Sequence, residues 1–337
     1  MKKLSRSTFL KRVRDTIKHY DMLRPGDRVL VAVSGGPDSV GLLKAFSDLQ
    51  RSLKIEIVVG NLDHGIRGKE SARDSDFVKR LSEKLGLVFA HKKIKLGTRA
   101  KGKKSLEELA REERYAFLKE AAKKNKCGVI ATGHTLDDQA ETVLMRIITG
   151  ASPAGVAGIP PIRQDGRFRL IRPFIRTQKK DVQDYLEASG QEHVEDRTNL
   201  DVKIKRNKVR LEVLPQLEKV NPRIKRSLAN LADAFREDFL LPMEDEERAS
   251  RRNVKEGKGS VVIKIADLVL QPKMLRKAIF KESIKRAGGN IKKLTYRHWM
   301  DMDYLLRAGE KGKSLDFPGG IKATKRDREI MFEKRRN

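Results

Sequence analysis

Val33-Ser34-Gly35-Gly36-Pro37-Asp38-Ser39 follows the β-branched run RVLVAVS (28–34) and opens a helical pattern running from Pro37 to about Arg51. A strand that passes straight into a helix through glycines is the context a phosphate-cradling loop requires. The glycines let backbone N–H groups turn inward, Ser34 and Ser39 add hydroxyls, and the helix start carries positive partial charge. Asp38 is an odd residue for an anion site by itself. It makes sense if it holds Mg2+ or meets the reactive end of a substrate. The alternative is an ordinary strand-to-helix turn, in which Pro at the first helical position is common. A second glycine-lysine pair, Gly312-Lys313-Ser314, has Arg307 where a kinase-type loop needs its first glycine, and a strand pattern follows it, so it reads as a turn.

Working outward, an amphipathic helix over residues 7–20 precedes the loop and Pro25-Gly26-Asp27 ends it. After the loop, strand patterns at 55–63 (IEIVVGNLD), 87–94 (LVFAHKKI) and 128–133 (GVIATG) alternate with helical patterns over 70–85, 105–124 and 136–149. Strands alternating with crossover helices predict an α/β fold with a doubly wound parallel sheet. Residues 150–161 read as a loop from their Gly and Pro content, and IRPF (171–174) leads to a helix beginning near Thr177. The organisation expected is a catalytic domain over 1–217, a solvent-exposed helical connector over 218–252 and a small α+β tail domain over 253–337, with tail strands in KSLDF, IKATK and EIMFE.

The chain has 337 residues, 75 Lys+Arg against 46 Asp+Glu, and a formal net charge of +29, which points to a polyanionic partner. Residues 251–337 hold 24 Lys+Arg and 10 Asp+Glu, so the tail is the more basic part. The single cysteine, Cys127, excludes an internal disulfide, a CxxC redox pair and a Cys-ligated cluster. No apolar run has the length of a signal peptide core or a spanning helix, so the expectation is a cytoplasmic protein with no membrane partner.

The loop resembles the PP-loop of the N-type ATP pyrophosphatases, which split ATP between its α- and β-phosphates and adenylate an oxygen of the substrate. Four collinear segments resemble the tRNA(Ile)-lysidine synthases within that superfamily. They are Asn61-Leu62-Asp63-His64-Gly65-Ile66-Arg67 through Glu70, Ser71 and Asp74; Ser105-Leu106-Glu107 with Ala110-Arg111 through Arg114-Tyr115; Ala131 to Thr142; and Glu195 to Asp201 with Arg206 to Arg210 and Leu214-Pro215. The tail is similar to that family's tRNA-contacting domain. Long members carry a further C-terminal domain, and on that pattern this chain reads as a shorter form. Members commonly carry two adjacent histidines where this chain has His134-Thr135.

The resemblance implies ATP as substrate with Mg2+, free L-lysine and an isoleucine tRNA with a CAU anticodon as partners, and a homodimer as one oligomeric option. Adenylation of the wobble cytidine at the oxygen on carbon 2 would be followed by attack of the lysine ε-amine. ATP would be held by Ser34, Gly35, Gly36, Pro37, Asp38, Ser39, Asp63 and His64, with Asp38 and Asp138 as metal ligands. Asp38, Arg111, Arg114, His134, Asp138 and Arg206 are the catalytic candidates. Asp137, Glu141 and Arg210 are the substrate-binding ones, and Lys273, Arg276, Lys277, Lys292 and Lys293 are expected to contact RNA.

The residues support these roles chemically and leave alternatives open. Arg111 and Arg114 share a helix face and either neutralise charge on the α-phosphate or form an ordinary basic face. His134 either donates to a phosphate, positions a base or is structural. Asp137, Asp138 and Glu141 at a helix start serve as caps, as Mg2+ ligands or as receptors for the lysine ammonium. Arg206 and Arg210, four apart, can grip a phosphate, and Asp196 with Asn199 can brace their helix or take part in the chemistry. The rival enzymes are a PP-loop tRNA thiolase, for which one cysteine is too few, and a small-molecule amidation ligase, which the charge disfavours. A non-catalytic RNA-binding protein on the same fold is the third option, and retention of Asp38 and the arginine pair argues against it.

Overall fold

The computed structural model describes residues 4–65, 69–94, 106–150, 153–194, 205–237, 254–257, 260–271 and 273–335. Arg67, Ser105, Asp196, Asn199 and the acidic part of the expected connector lie outside them, as do the side chains of Glu70, Glu107, Lys273 and Lys292. The chain forms two compact units, residues 1–150 with 158–232 and residues 151–157 with 233–337.

The first unit carries α1 (Arg6–His19), β1 (Arg28–Ala32), α2 (Pro37–Leu53), β2 (Glu56–Asp63), α3 (Lys69–Lys84), β3 (Val88–Lys93), α4 (Leu106–Lys124), β4 (Val129–Ala131) and α5 (Leu136–Ile148). After α6 (Pro153–Val156), which belongs to the second unit, come β5 (Ile162–Asp165), β6 (Phe168–Ile171) and α7 (Lys179–Ala188). A helical run then passes from α8 (Lys205–Lys208) through a wider π-helical turn at Val209–Val213 into α9 (Leu214–Val220), with α10 (Ile224–Phe235) after it.

The sheet order is β3-β2-β1-β4-β6-β5. β1 pairs in parallel with β2 and β4, and β4 with β6. Period-two alternation explains how one strand serves two layers. Val29, Val31 and Val33 join the core shared with α1, α2 and α7, whereas Leu30, Val58 and Ile130 join the one built on Phe117, Leu118 and Ala122 of α4. The direction of winding reverses between β1 and β4, which is where such sheets place their ligands.

The doubly wound parallel sheet is present as expected and gains an antiparallel edge, and two further expectations need correction. The sheet is mixed, because β5 pairs antiparallel with β6; its residues IRQD alternate too weakly to register as a strand. The stretch after Asn221-Pro222 is not a fully solvated helix, since α10 buries Leu228, Ala229 and Ala232. The tail holds two strands more than expected.

Those two are β7 (Val254–Gly257) and β8 (Ser260–Lys264), which join β9 (Ser314–Phe317), β10 (Ile321–Lys325) and β11 (Glu329–Lys334) in an antiparallel sheet ordered β7-β8-β11-β10-β9. Val261, Ile263, Ile321, Ala323, Ile330 and Phe332 face the core at alternate positions. Helices α11 (Ile265–Val269), α12 (Lys273–Arg286) and α13 (Tyr296–Ala308) complete it, with Leu275, Ile279 and Leu305 packed against the sheet residues.

Candidate active site

The loop after β1 is braced from three sides. Asn61 on β2 donates through Nδ2 to the Val33 carbonyl at 2.8 Å, and its Oδ1 lies 2.9 Å from Nδ1 of His91. The Val194 N–H donates to the Gly35 carbonyl at 2.9 Å. Ser39 accepts from the Ser34 N–H at 3.1 Å and lies 2.9 Å from the Gly36 carbonyl, to which it donates. Ser39 is therefore an internal brace rather than an open donor. Gly35 has φ +98°, a conformation L side chains rarely adopt. With these carbonyls tied back, the N–H side of the loop and the start of α2 are left to meet an anion.

Gly133 brings the end of β4 against this loop. A Cβ there would lie 2.8 Å from the Asp38 carbonyl oxygen and 3.2 Å from the Ser39 nitrogen, so only glycine fits. The next residue, His134, has Nδ1 2.9 Å from the Thr132 hydroxyl. Burial, reinforced by Arg172, pushes its pKa down to about 3, so the imidazole is neutral at pH 7. A neutral ring can accept or donate one hydrogen bond but carries no charge to a phosphate.

Thr135 caps α5 in a reciprocal capping box with Asp138, whose Oδ2 accepts from the Thr135 N–H at 2.9 Å. This geometry turns Asp137, Asp138 and Glu141 toward three other segments. Asp137 Oδ2 accepts from the Lys179 backbone N–H at 2.8 Å, capping α7 from a distance, and its Oδ1 lies 3.0 Å from Lys225. Glu141, with a side chain only 1% exposed, receives Arg206 Nε at 2.8 Å and Arg210 through Nε at 2.6 Å and Nη2 at 3.0 Å. Asp138 meets Arg206 at 3.0 Å and Arg210 at 3.7 Å. Arg206 and Arg210, expected to grip a phosphate, have protein partners in this structure. Both are directed onto α5 carboxylates, Arg206 from α8 and Arg210 from the wider turn that follows it.

Asp38 and Asp138 share one cation: Lys179 Nζ lies 3.6 Å from a carboxylate oxygen of each. Burial raises Asp38 to about 6; Lys179 opposes that shift, and Asp138 and Asp137 add to it. Burial also works to raise Asp138, but Lys179 and Arg206 outweigh it and hold this carboxyl down at about 2.

Arg111 and Arg114 reach different places. Arg111 stacks on Tyr115 at 5.5 Å and adds to the positive field at His134 and Arg172, whereas Arg114 bears on His64. His64 Nδ1 is enclosed with no hydrogen-bond partner among the described residues. Burial and Arg114 lower its pKa. Asp63 turns inward instead: it is 4% exposed, accepts from the Gly65 N–H at 2.8 Å and pairs with Lys93 at 3.7 Å, so it braces the turn.

Three site residues escaped the sequence reading: Lys179, Lys225 and Arg172. Arg172 is 2% exposed at the end of β6, donates to the Pro160 carbonyl at 2.5 Å and interacts with Tyr115. The IRPF stretch was the one available signal, since an arginine between apolar residues at a strand end is rarely buried without a task. Lys179 and Lys225 had no signal in a chain this rich in lysine.

In the tail, Arg276 does not present its guanidinium to RNA. It is 5% exposed, pairs with Asp303 at 3.0 Å and donates to the Gln271 carbonyl at 2.8 Å, so it holds α12 to α13. Lys277 is half-buried and Lys293 is exposed.

Residues 6–217 match the PP-loop domain family. A tRNA(Ile)-lysidine synthase of Geobacter sulfurreducens is 33% identical over 97% of this chain and 69% of its own length. Those of Symbiobacterium thermophilum and Clostridioides difficile are 38% and 34% identical over 83% and 92% of the chain, and 60% and 67% of their own lengths. The chain thus spans about 60–69% of these relatives. Among solved structures, the U34-tRNA thiolase NcsA of Methanococcus maripaludis with its [4Fe-4S] cluster superposes with a TM-score of 0.58 at 19% identity, covering 69% of this chain and 80% of that one. That likeness is one of fold. The lone, buried Cys127 offers no second thiolate to a cluster. The PP-loop domain match over residues 6–217 and the identity carried over nearly the whole chain agree: this protein belongs to the tRNA(Ile)-lysidine synthase family of ATP-dependent PP-loop ligases.

Proposed function

We infer that the chain converts the wobble cytidine of a CAU-anticodon isoleucine tRNA to lysidine, using ATP and free L-lysine and releasing pyrophosphate and AMP. The observation that carries the reading is the convergence of the braced phosphate loop and the α5 carboxylate cluster at the switch point between β1 and β4. The loop and the start of α2 hold the phosphates that leave as pyrophosphate. Arg111 and Arg114, approaching from α4, offset the charge that grows on the α-phosphate during transfer to the cytidine oxygen. Neutral His134, fixed by Thr132, orients the reacting base by a hydrogen bond. The carboxylates of Asp137 and Asp138 receive the lysine ammonium and hold its ε-amine near the adenylated carbon, with the enclosed Glu141 keeping Arg206 and Arg210 in position beside them.

The donor set fits Mg2+. Asp38 and Asp138 converge on one ammonium beside the phosphate loop, and Mg2+ is bound through one or two carboxylates plus substrate phosphates rather than an all-protein cage. Asp38 and Asp138 would hold the ion, which supplies charge neutralisation at the phosphates.

The test is incubation of purified protein with ATP, Mg2+, radiolabelled lysine and unmodified isoleucine tRNA, followed by nucleoside mass analysis. Lysine at the wobble cytidine, with pyrophosphate release abolished in Asp38→Ala, is the expected result. ATP cleavage with no lysine transfer, or normal pyrophosphate release from Asp38→Ala, overturns the reading.

A further inference from the structure

We propose that Lys179 is a built-in placeholder for a divalent cation: its ammonium stands between Asp38 and Asp138 and yields that place to the cation that arrives with nucleotide. The proposal rests on the assignment of Asp38 and Asp138 as metal ligands and adds a residue outside every motif read from the sequence.

The geometry is that of a loose clasp. Nζ lies 3.6 Å from Asp38 Oδ2 and 3.6 Å from Asp138 Oδ1, longer than the roughly 2.7–2.9 Å of a closed charge-assisted hydrogen bond. One monovalent charge is thereby divided between two carboxylates on different helices. The other cations around the cluster are anchored differently. Arg210 holds Glu141 through two nitrogens, Arg206 bridges Glu141 and Asp138, and Lys225 bridges Asp137 and Glu218 at 3.0 Å each. Among the described residues, Lys179 is the one ion-pair partner of Asp38, so removing it leaves that carboxylate open while the rest of the cluster stays paired.

Its place in the fold also disfavours permanence. Lys179 is the first residue of α7, and its backbone N–H is already capped by Asp137, so the helix start does not need the ammonium to stay in place. Only the two carboxylates keep it there. The side chain is 28% exposed and long and flexible, so it has a route to solvent. A dication with its own water and phosphate ligands satisfies both carboxylates better than one shared ammonium.

The experiment is calorimetric titration of ATP at a series of Mg2+ concentrations, with thermal denaturation in Mg2+ alone, for the wild-type protein, Lys179→Met, Lys179→Arg and the exposed neighbour Lys180→Met. Wild-type binding of ATP with Mg2+ checks the underlying reading, and its absence overturns both. Given that binding, Lys179→Met is expected to reach half-maximal ATP binding at a Mg2+ concentration at least threefold lower, and to gain more thermal stability than wild type from Mg2+ alone. Lys179→Arg is expected to need more Mg2+, and Lys180→Met to match wild type. An unchanged or raised Mg2+ requirement in Lys179→Met, or ATP affinity lost at saturating Mg2+, overturns the proposal, the latter by showing that Lys179 holds a phosphate itself. Should Lys179→Met fail to fold, the shift in Lys179→Arg decides: a Mg2+ requirement that does not rise overturns the placeholder role.

Discussion

Replacing Glu141 with Gln keeps the shape of the most enclosed carboxylate in the site and removes its charge. In the native protein this group, 1% exposed, accepts three hydrogen bonds from two guanidinium groups. The amide turns one of those acceptors into a donor facing an arginine N–H. Breaking a buried ion pair by neutralising one partner costs roughly 3–5 kcal/mol. Arg206 and Arg210 are 32% and 24% exposed, so water recovers part of their solvation and the lower end, about 3 kcal/mol, is expected. For a unit of this size each kcal/mol lowers Tm by about 2–4 °C, giving a fall of about 6–12 °C. Urea denaturation of Glu141→Gln, Arg210→Met and the double variant measures it, and the double variant should lose clearly less than the sum, by about 1.5–3 kcal/mol. Strict additivity, or a loss below about 1 kcal/mol in Glu141→Gln, refutes the view that this carboxylate ties the α8–α9 segment to α5.

Two further predictions concern charge elsewhere. Because burial and Arg172 hold His134 at about 3 when folded, against about 6.5 unfolded, the unfolded chain takes up a proton first as pH falls. That histidine therefore withdraws stability between pH 6.5 and 3, on the order of 2–3 kcal/mol by pH 4.5, and His134→Gln should flatten the denaturant midpoint over that range; identical slopes in the two proteins count against the buried neutral imidazole. In the tail, Arg276→Met should lower stability by about 2–4 kcal/mol while leaving tRNA affinity of the folded protein near wild type. Lys293→Glu should instead weaken tRNA binding and reduce the salt dependence of log Kd by about 1, and electrophoretic shift titrations at several salt concentrations distinguish the two.

What the amino-acid order determined by itself is whatever short-range chemistry encodes. The strand, two glycines, proline and aspartate at 33–39 specify a phosphate loop because each residue's conformational preference acts within a few positions. The alternation of apolar runs specifies a doubly wound unit because β1 is buried on both faces. The family resemblance was legible for the same reason, being carried by contiguous motifs. Tertiary structure decided the partners. Glu141 meets arginines 65 and 69 residues away, and Asp38 meets a lysine 141 positions later, among 75 basic residues that look alike in sequence. Which of them arrives is set by the strand order that places the ends of β1, β4 and β6 together, not by local preference. Arg276 makes the same point from the other side: on a highly charged helix it reads as a surface cation, and only the packing of α12 against Asp303 on α13 takes it inside. Charge along the chain is local information, whereas the pairing of charges is a property of distances that exist only once the sheet has closed.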